Sequence, residues 1–175
     1  MKPELLHCYH LLGLDPRLPA QRGWPVFREA GKLCELPPDR YGRIPLLRPD
    51  AAAAWLAMQA AAERDGILLE LISAFRSYRY QTSLLQRKLA SGLALDDILA
   101  VSALPGCSEH HTGCAIDLAS GEADVLETAF AETPAFHWLM RRGAEFGFVL
   151  SFPEGNRWGF LYEPWHWCYH GNPGT

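Results

Sequence analysis

The most constraining feature of this 175-residue chain is a carboxylate in an apolar strand. Asp117 sits between Ile116 and Leu118 in the strand-like run Ala115-Ile116-Asp117-Leu118-Ala119. A buried carboxylate is expensive unless it is paired or bound to a metal. Whatever fold the chain adopts must therefore bring compensating groups to position 117.

The candidate groups cluster in two short segments, Ser108 to Asp117 and Glu163 to Gly171, which together hold four of the seven histidines. Two imidazoles and a carboxylate with one open position make a catalytic zinc site. His110, Asp117 and His166 can supply that set. Glu163, just upstream of His166, can then act as general base toward the zinc-bound water, whose pKa falls to about 7. Spacing alone does not demand this. His110 to Asp117 and Glu163 to His166 are odd offsets, which on regular strands point to opposite faces. His110 and Glu163 must then sit on turns or bends, which Gly113 and Pro164 permit. From the residues alone, a zinc hydrolase site and a set of mutually satisfied core polar groups are equally good readings.

Composition bounds the remaining classes. The length suits one domain, and 49% hydrophobic with 21% charged residues is globular rather than disordered. Sixteen Lys and Arg against twenty Asp and Glu leave a formal charge of −4, which disfavours a nucleic-acid partner. No apolar run is long enough for a membrane span. Met1 to Pro16 reads as no signal peptide, so a cytoplasmic location is expected, with export by another route (periplasmic or secreted) as the alternative. Five cysteines, an odd count, fit reduced thiols.

Residues 1–48 are rich in Pro and Gly and are expected to form an irregular N-terminal wrap on a domain spanning 49–175. Asp50 is a candidate N-cap for a helix over Ala51 to Arg64, with Trp55, Met58 and Ala62 on one face. A second helix is expected over Tyr80 to Ala90, and a third starting at Thr133-Pro134. Ile67 to Ser73, Phe146 to Phe152 and Tyr162 to Tyr169 read as strands. Early helices and late strands predict an α+β fold.

Three motifs carry a resemblance. Ser108 to Asp117 matches S-x-H-x-x-G-x-A-x-D, and Glu163 to His166 matches E-x-W-H. Upstream, Ser73-Ala74-Phe75-Arg76-Ser77-Tyr78 followed by Gln81 matches S-x-[FY]-R-S-Y-x-x-Q. In this order they resemble the D-alanyl-D-alanine carboxypeptidases of the VanY type, zinc peptidases that share a fold with lysostaphin-type enzymes and the hedgehog signalling domain. The likeness extends over roughly residues 49–171. It implies a small α+β domain whose central antiparallel sheet carries the zinc site, with helices packed on it. It implies one Zn2+ held by His110, Asp117 and His166, and Glu163 as general base. Arg76 would stabilise the oxyanion. Ser108, Arg76, Tyr78 and Gln81 form the candidate substrate-binding set, with Ser108 on the terminal carboxylate and Tyr78 and Gln81 supporting the Arg76 loop. The implied activity is removal of a C-terminal D-alanine from a peptidoglycan stem peptide or muropeptide. An L,D-carboxypeptidase or endopeptidase of the same fold, and a non-catalytic zinc-bound binding module, are the alternatives.

Other polar residues take plainer readings. His111 and His170 are expected to be surface or supporting residues rather than ligands. Cys107, Cys114 and Cys168 lack a C-x-x-C pair and fit a closed zinc site poorly. Arg79, Arg87 and Lys88 read as a solvated helix face.

Overall fold

A computed structural model of the chain describes residues 2–121 and 126–171. It begins with a helix, α1 (Pro3–Leu12), rather than the irregular wrap expected for residues 1–48. Pro3 occupies the first turn, and Gly13 closes the helix in the left-handed region. Leu5, Cys8 and Tyr9 are buried, and Leu12 packs beside them, a helical stripe that the Pro and Gly density downstream obscures. A single turn, α2 (Leu18–Gln21), follows. The rest of the segment is extended, with β1 (Cys34–Glu35) pairing antiparallel to β2 (Leu46–Leu47).

Helix α3 (Pro49–Arg64) starts two residues earlier than the Asp50 cap predicts. Pro49 takes the first helical position, and Asp50 instead pairs with the Arg48 guanidinium at 2.6 Å. Strand β3 (Glu70–Ser73) leads into α4 (Tyr78–Ala90), capped by the Ser77 hydroxyl. A helix not anticipated from sequence, α5 (Leu95–Val101), precedes a short helical turn over Glu109–Thr112. Strand β4 (Ala115–Ala119) follows, then α6 (Pro134–Arg142), where Thr133 caps the Phe136 amide as expected. Strands β5 (Phe148–Leu150) and β6 (His166–Tyr169) are shorter than the apolar runs that predict them. The run ahead of β6 is broken by the Glu163-Pro164 turn, where the His166 amide donates to Glu163 O at 3.1 Å.

The central sheet is antiparallel throughout, in the order β3-β4-β6-β5. Helices pack on it, so the architecture is the expected α+β. Ile116, Leu118 and Trp167 join Trp55, Met58 and Leu139 in the main core with α3 and α6. A second core joins α1, α4 and α5 through Tyr9, Leu85, Ile98 and Leu99. Among the described residues, no helix is long and apolar enough to cross a membrane.

One glycine sets the approach to β4. Gly113 ends the helical turn at φ +69°, and a Cβ there would meet Leu33 at 2.9 Å and the Arg48 amide nitrogen at 3.0 Å. Its carbonyl accepts from that same Arg48 amide at 2.8 Å. Gly113→Ala should therefore destabilise the protein by about 1–3 kcal/mol through left-handed strain and crowding. Denaturant unfolding checks this; a loss under about 0.5 kcal/mol, the scale of an ordinary surface change, would contradict it.

Candidate active site

The register places Ser73, Asp117 and His166 in one row across three strands, since Asp117 pairs with Ser73 on one side and His166 on the other. Alternation puts this row on the face opposite Ile116 and Leu118. A register shift between Leu71 and Ser73 in β3 brings Ser73 into the row. His110 comes from the helical turn, not from a strand, which removes the parity conflict in the sequence spacing.

Three hydrogen bonds lock that turn to the loop after β3. His110 Nδ1 meets Ala74 O at 2.6 Å, His111 Nδ1 meets Arg76 O at 2.6 Å, and the Arg76 amide donates to His110 O at 3.2 Å. His111 also accepts from the Gly106 amide through Nε2 at 3.1 Å. It is fully buried and braces the loop, while His170 is exposed.

Arg76 and His166 compensate Asp117, and His110 faces it. The Arg76 guanidinium donates to its Oδ2 and, through Nε, to Ser73 Oγ at 2.9 Å. His166 Nδ1 lies 2.9 Å from Oδ1, and His110 Nε2 lies 3.2 Å from Oδ2. Burial opposes ionisation, but His110 and Arg76 hold the Asp117 carboxyl well below its usual range. Burial pushes His110 down to about 4, with the Arg76 charge adding to it, so this imidazole is neutral. His166 is driven the other way, to about 10, because hydrogen bonds to Asp117 and Glu109 outweigh its burial.

The donor atoms of His110, Asp117 and His166 lie within 4.8 Å of one another, and all three residues are buried. His110 Nε2 has no hydrogen-bond partner despite its burial. A buried orphan nitrogen facing a carboxylate and a second imidazole suits a metal ligand better than a satisfied core. The chemistry of this donor set fits one metal ion.

The site opens on a cleft of about 600 Å³ lined by Arg76, Gln81, Lys88, Ser108, Glu163 and Trp165, among others. Burial raises the Glu163 carboxyl to about 7, with the nearby Asp117 charge adding and the cations His166, Arg76 and Lys88 opposing. Ser108 is buried at the cleft wall. Gln81 is also buried there, donating to Ala103 O at 2.7 Å and leaving Oε1 unpaired. Tyr78, grouped with the substrate-binding residues from sequence, does not reach this cleft. Its hydroxyl donates to Phe27 O at 2.6 Å, and its ring packs edge-on to His111, behind the loop.

Two residues escape the sequence reading. Lys88 is not on a solvated face: it points to the cleft, and its ammonium donates to Ser102 Oγ at 2.7 Å. Glu109 accepts from His166 Nε2 at 3.0 Å and is held near 2, where His166 outweighs burial. Helical spacing from Leu85 could have pointed Lys88 inward, but nothing local marks Glu109. All five cysteines are free thiols, and none joins the donor cluster.

Comparison with known proteins places this geometry. A family model for D-alanyl-D-alanine carboxypeptidase, VanY, matches residues 45–172. The bifunctional D-Ala-D-Ala dipeptidase and D-Ala-D-Ala carboxypeptidase VanXYC of Enterococcus gallinarum is 33% identical over 135 residues, covering 73% of this chain and 68% of that protein. The structure of the LdcB LD-carboxypeptidase superposes with a TM-score of 0.68 at 29% identity, covering 83% of this chain and 66% of that one. A mutant of the vancomycin resistance D,D-pentapeptidase VanY in complex with Zn(II) shares the fold, with a TM-score of 0.66 at 23% identity over 84% of this chain and 83% of that one. The chain spans less than half, 46% and 43%, of two further curated relatives.

The pairing at Asp117 makes a stability prediction. Asp117→Ala strands the Arg76 guanidinium, whose side chain is only 19% exposed, without its counter-charge. In the metal-free protein the loss should be about 3 kcal/mol. Denaturant unfolding measures it, and a loss below about 1 kcal/mol would show that the pair is solvated like a surface bridge.

Proposed function

We propose the following reading for this chain, which belongs to the VanY family of D-alanyl-D-alanine carboxypeptidases: it is a zinc-dependent carboxypeptidase that removes the C-terminal D-alanine of peptidoglycan stem peptides. The observation that carries it is the buried His110, Asp117 and His166 donor set at the floor of a cleft that also holds Glu163. Those three residues would hold one zinc ion. Bound zinc supplies Lewis acidity toward the scissile carbonyl and a water. Glu163 takes a proton from the attacking water and passes it to the leaving amine as the C–N bond breaks. A carboxyl raised to about 7 is poised for both transfers at neutral pH. Arg76, fixed by Ser73 and Asp117, sets a cation beside the carbonyl oxygen as negative charge develops there.

The free terminus of the substrate needs its own counter-charge. Lys88, held by Ser102, supplies it, and Ser108 adds a hydroxyl. That requirement favours a carboxypeptidase over an endopeptidase, whose substrate has no carboxylate at this point. The likeness to the LdcB LD-carboxypeptidase makes trimming of tetrapeptides the second reading. The two differ in the residue before the cut, which has a D centre in a pentapeptide and an L centre in a tetrapeptide.

Mass spectrometry of muropeptides incubated with the zinc-loaded protein tests the assignment. Loss of one alanine from pentapeptide stems is the expected result. Loss from tetrapeptide stems alone would move the enzyme to the L,D class, and no cleavage of either with zinc bound would overturn the reading. Glu163→Gln should lower kcat by about 10²- to 10⁴-fold while zinc stoichiometry is unchanged. Lys88→Ala should raise KM for peptides with a free carboxylate and leave that of C-terminal amides unchanged; equal effects on both would remove Lys88 from carboxylate recognition.

A further inference from the structure

The two imidazoles of the donor set are tied differently. At His110 the tied atom is Nδ1, which meets the Ala74 carbonyl at 2.6 Å, and Nε2 is left without a partner. At His166 both nitrogens face carboxylates: Nδ1 lies 2.9 Å from Asp117 Oδ1, and Nε2 lies 3.0 Å from Glu109 Oε2. A ring nitrogen that donates a proton to a carboxylate cannot also bind a metal, so one of these contacts decides which nitrogen is the ligand.

The geometry points to Glu109 as the positioning residue that holds the proton of His166 on Nε2 and thereby turns Nδ1 to the metal. This rests on the metal site proposed above. His166 meets the Asp117 carboxylate through Nδ1, and His110 Nε2 lies 3.2 Å from the other oxygen of that carboxylate. An ion shared by that carboxylate and His110 Nε2 would be met by His166 through Nδ1. Glu109 stands on the far side of the ring, so it is not itself a ligand. It is well placed to hold one orientation, because its side chain is only 15% exposed and Ser151, Cys168 and His170 surround it. Phe152 packs on the His166 ring at a centroid distance of 4.7 Å and limits its rotation. A carboxylate on the outer nitrogen of a metal-bound imidazole fixes its tautomer and raises its basicity as a ligand. Thus a backbone carbonyl orients one histidine and Glu109 orients the other.

Chelator competition for zinc, with imidazole 15N NMR, tests this. Glu109→Ala should weaken zinc binding about 10- to 100-fold. Glu109→Gln keeps an acceptor oxygen for Nε2–H and should stay within about threefold of the parent, a rescue that loss of packing alone would not produce. In the zinc-loaded parent protein, His166 should carry its proton on Nε2, a measurement that needs no variant to fold. Unchanged zinc affinity in Glu109→Ala, or a His166 protonated on Nδ1 in the zinc-loaded parent, would overturn the role of Glu109 and leave the metal site standing. A parent protein that binds no zinc would overturn the metal site, and the role of Glu109 with it.

Discussion

The structure is organised around the desolvation of one carboxylate. Asp117 sits in a strand whose five residues are all buried, where an unpaired charge would cost several kcal/mol. Its partners come from three separate pieces of chain: Arg76 from the loop after β3, His110 from the helical turn before β4, and His166 from β6. Neither Arg76 nor His166 can move far without stranding a buried charge. The register shift in β3 and the left-handed Gly113 are the local distortions that let these pieces converge. Buried charge of this kind contributes little net stability, and its value is that it specifies one arrangement.

That arrangement is held from behind by the N-terminal third of the chain. Tyr78 begins α4 and ties it to Phe27 and Glu29, while the Phe27 and Ala30 amides donate to Gly106 O and His111 O at 2.7 and 2.8 Å. Helix α1 packs on α4 through the second core. The loop bearing Arg76 and the turn bearing His110 are thus clamped between the sheet and a separate layer of packed chain. Catalytic groups on supported elements of this kind hold their geometry better than groups on free loops.

The same enclosure divides the carboxylates of the site by role. Asp117 and Glu109 touch cations and hydrogen-bond donors and stay ionised. Glu163 is half-buried without a direct hydrogen-bonding partner for its carboxylate among the described residues, so desolvation prevails and its proton is held to about 7. Environment rather than residue type separates two structural anions from one group suited to proton transfer.

Much of this was legible in the sequence. A carboxylate amid apolar residues announces its own need for partners, and short motifs keep His110, Asp117, Glu163 and His166 close to turns that can aim them. The Thr133-Pro134 helix start was equally readable, because capping is settled within one turn of chain. Tertiary structure alone decided the rest. Glu109 and His166 are 57 residues apart, and no local pattern encodes their contact. Lys88 sits on a helix whose polar face looks solvated until α5 and the loop after it build the far wall of the cleft. Tyr78 belongs to a motif with Arg76 yet faces the opposite way, since the chain turns at the Ser77 cap between them. Local chemistry determined which groups this protein brings to its site; the packing of distant segments determined which way each of them faces.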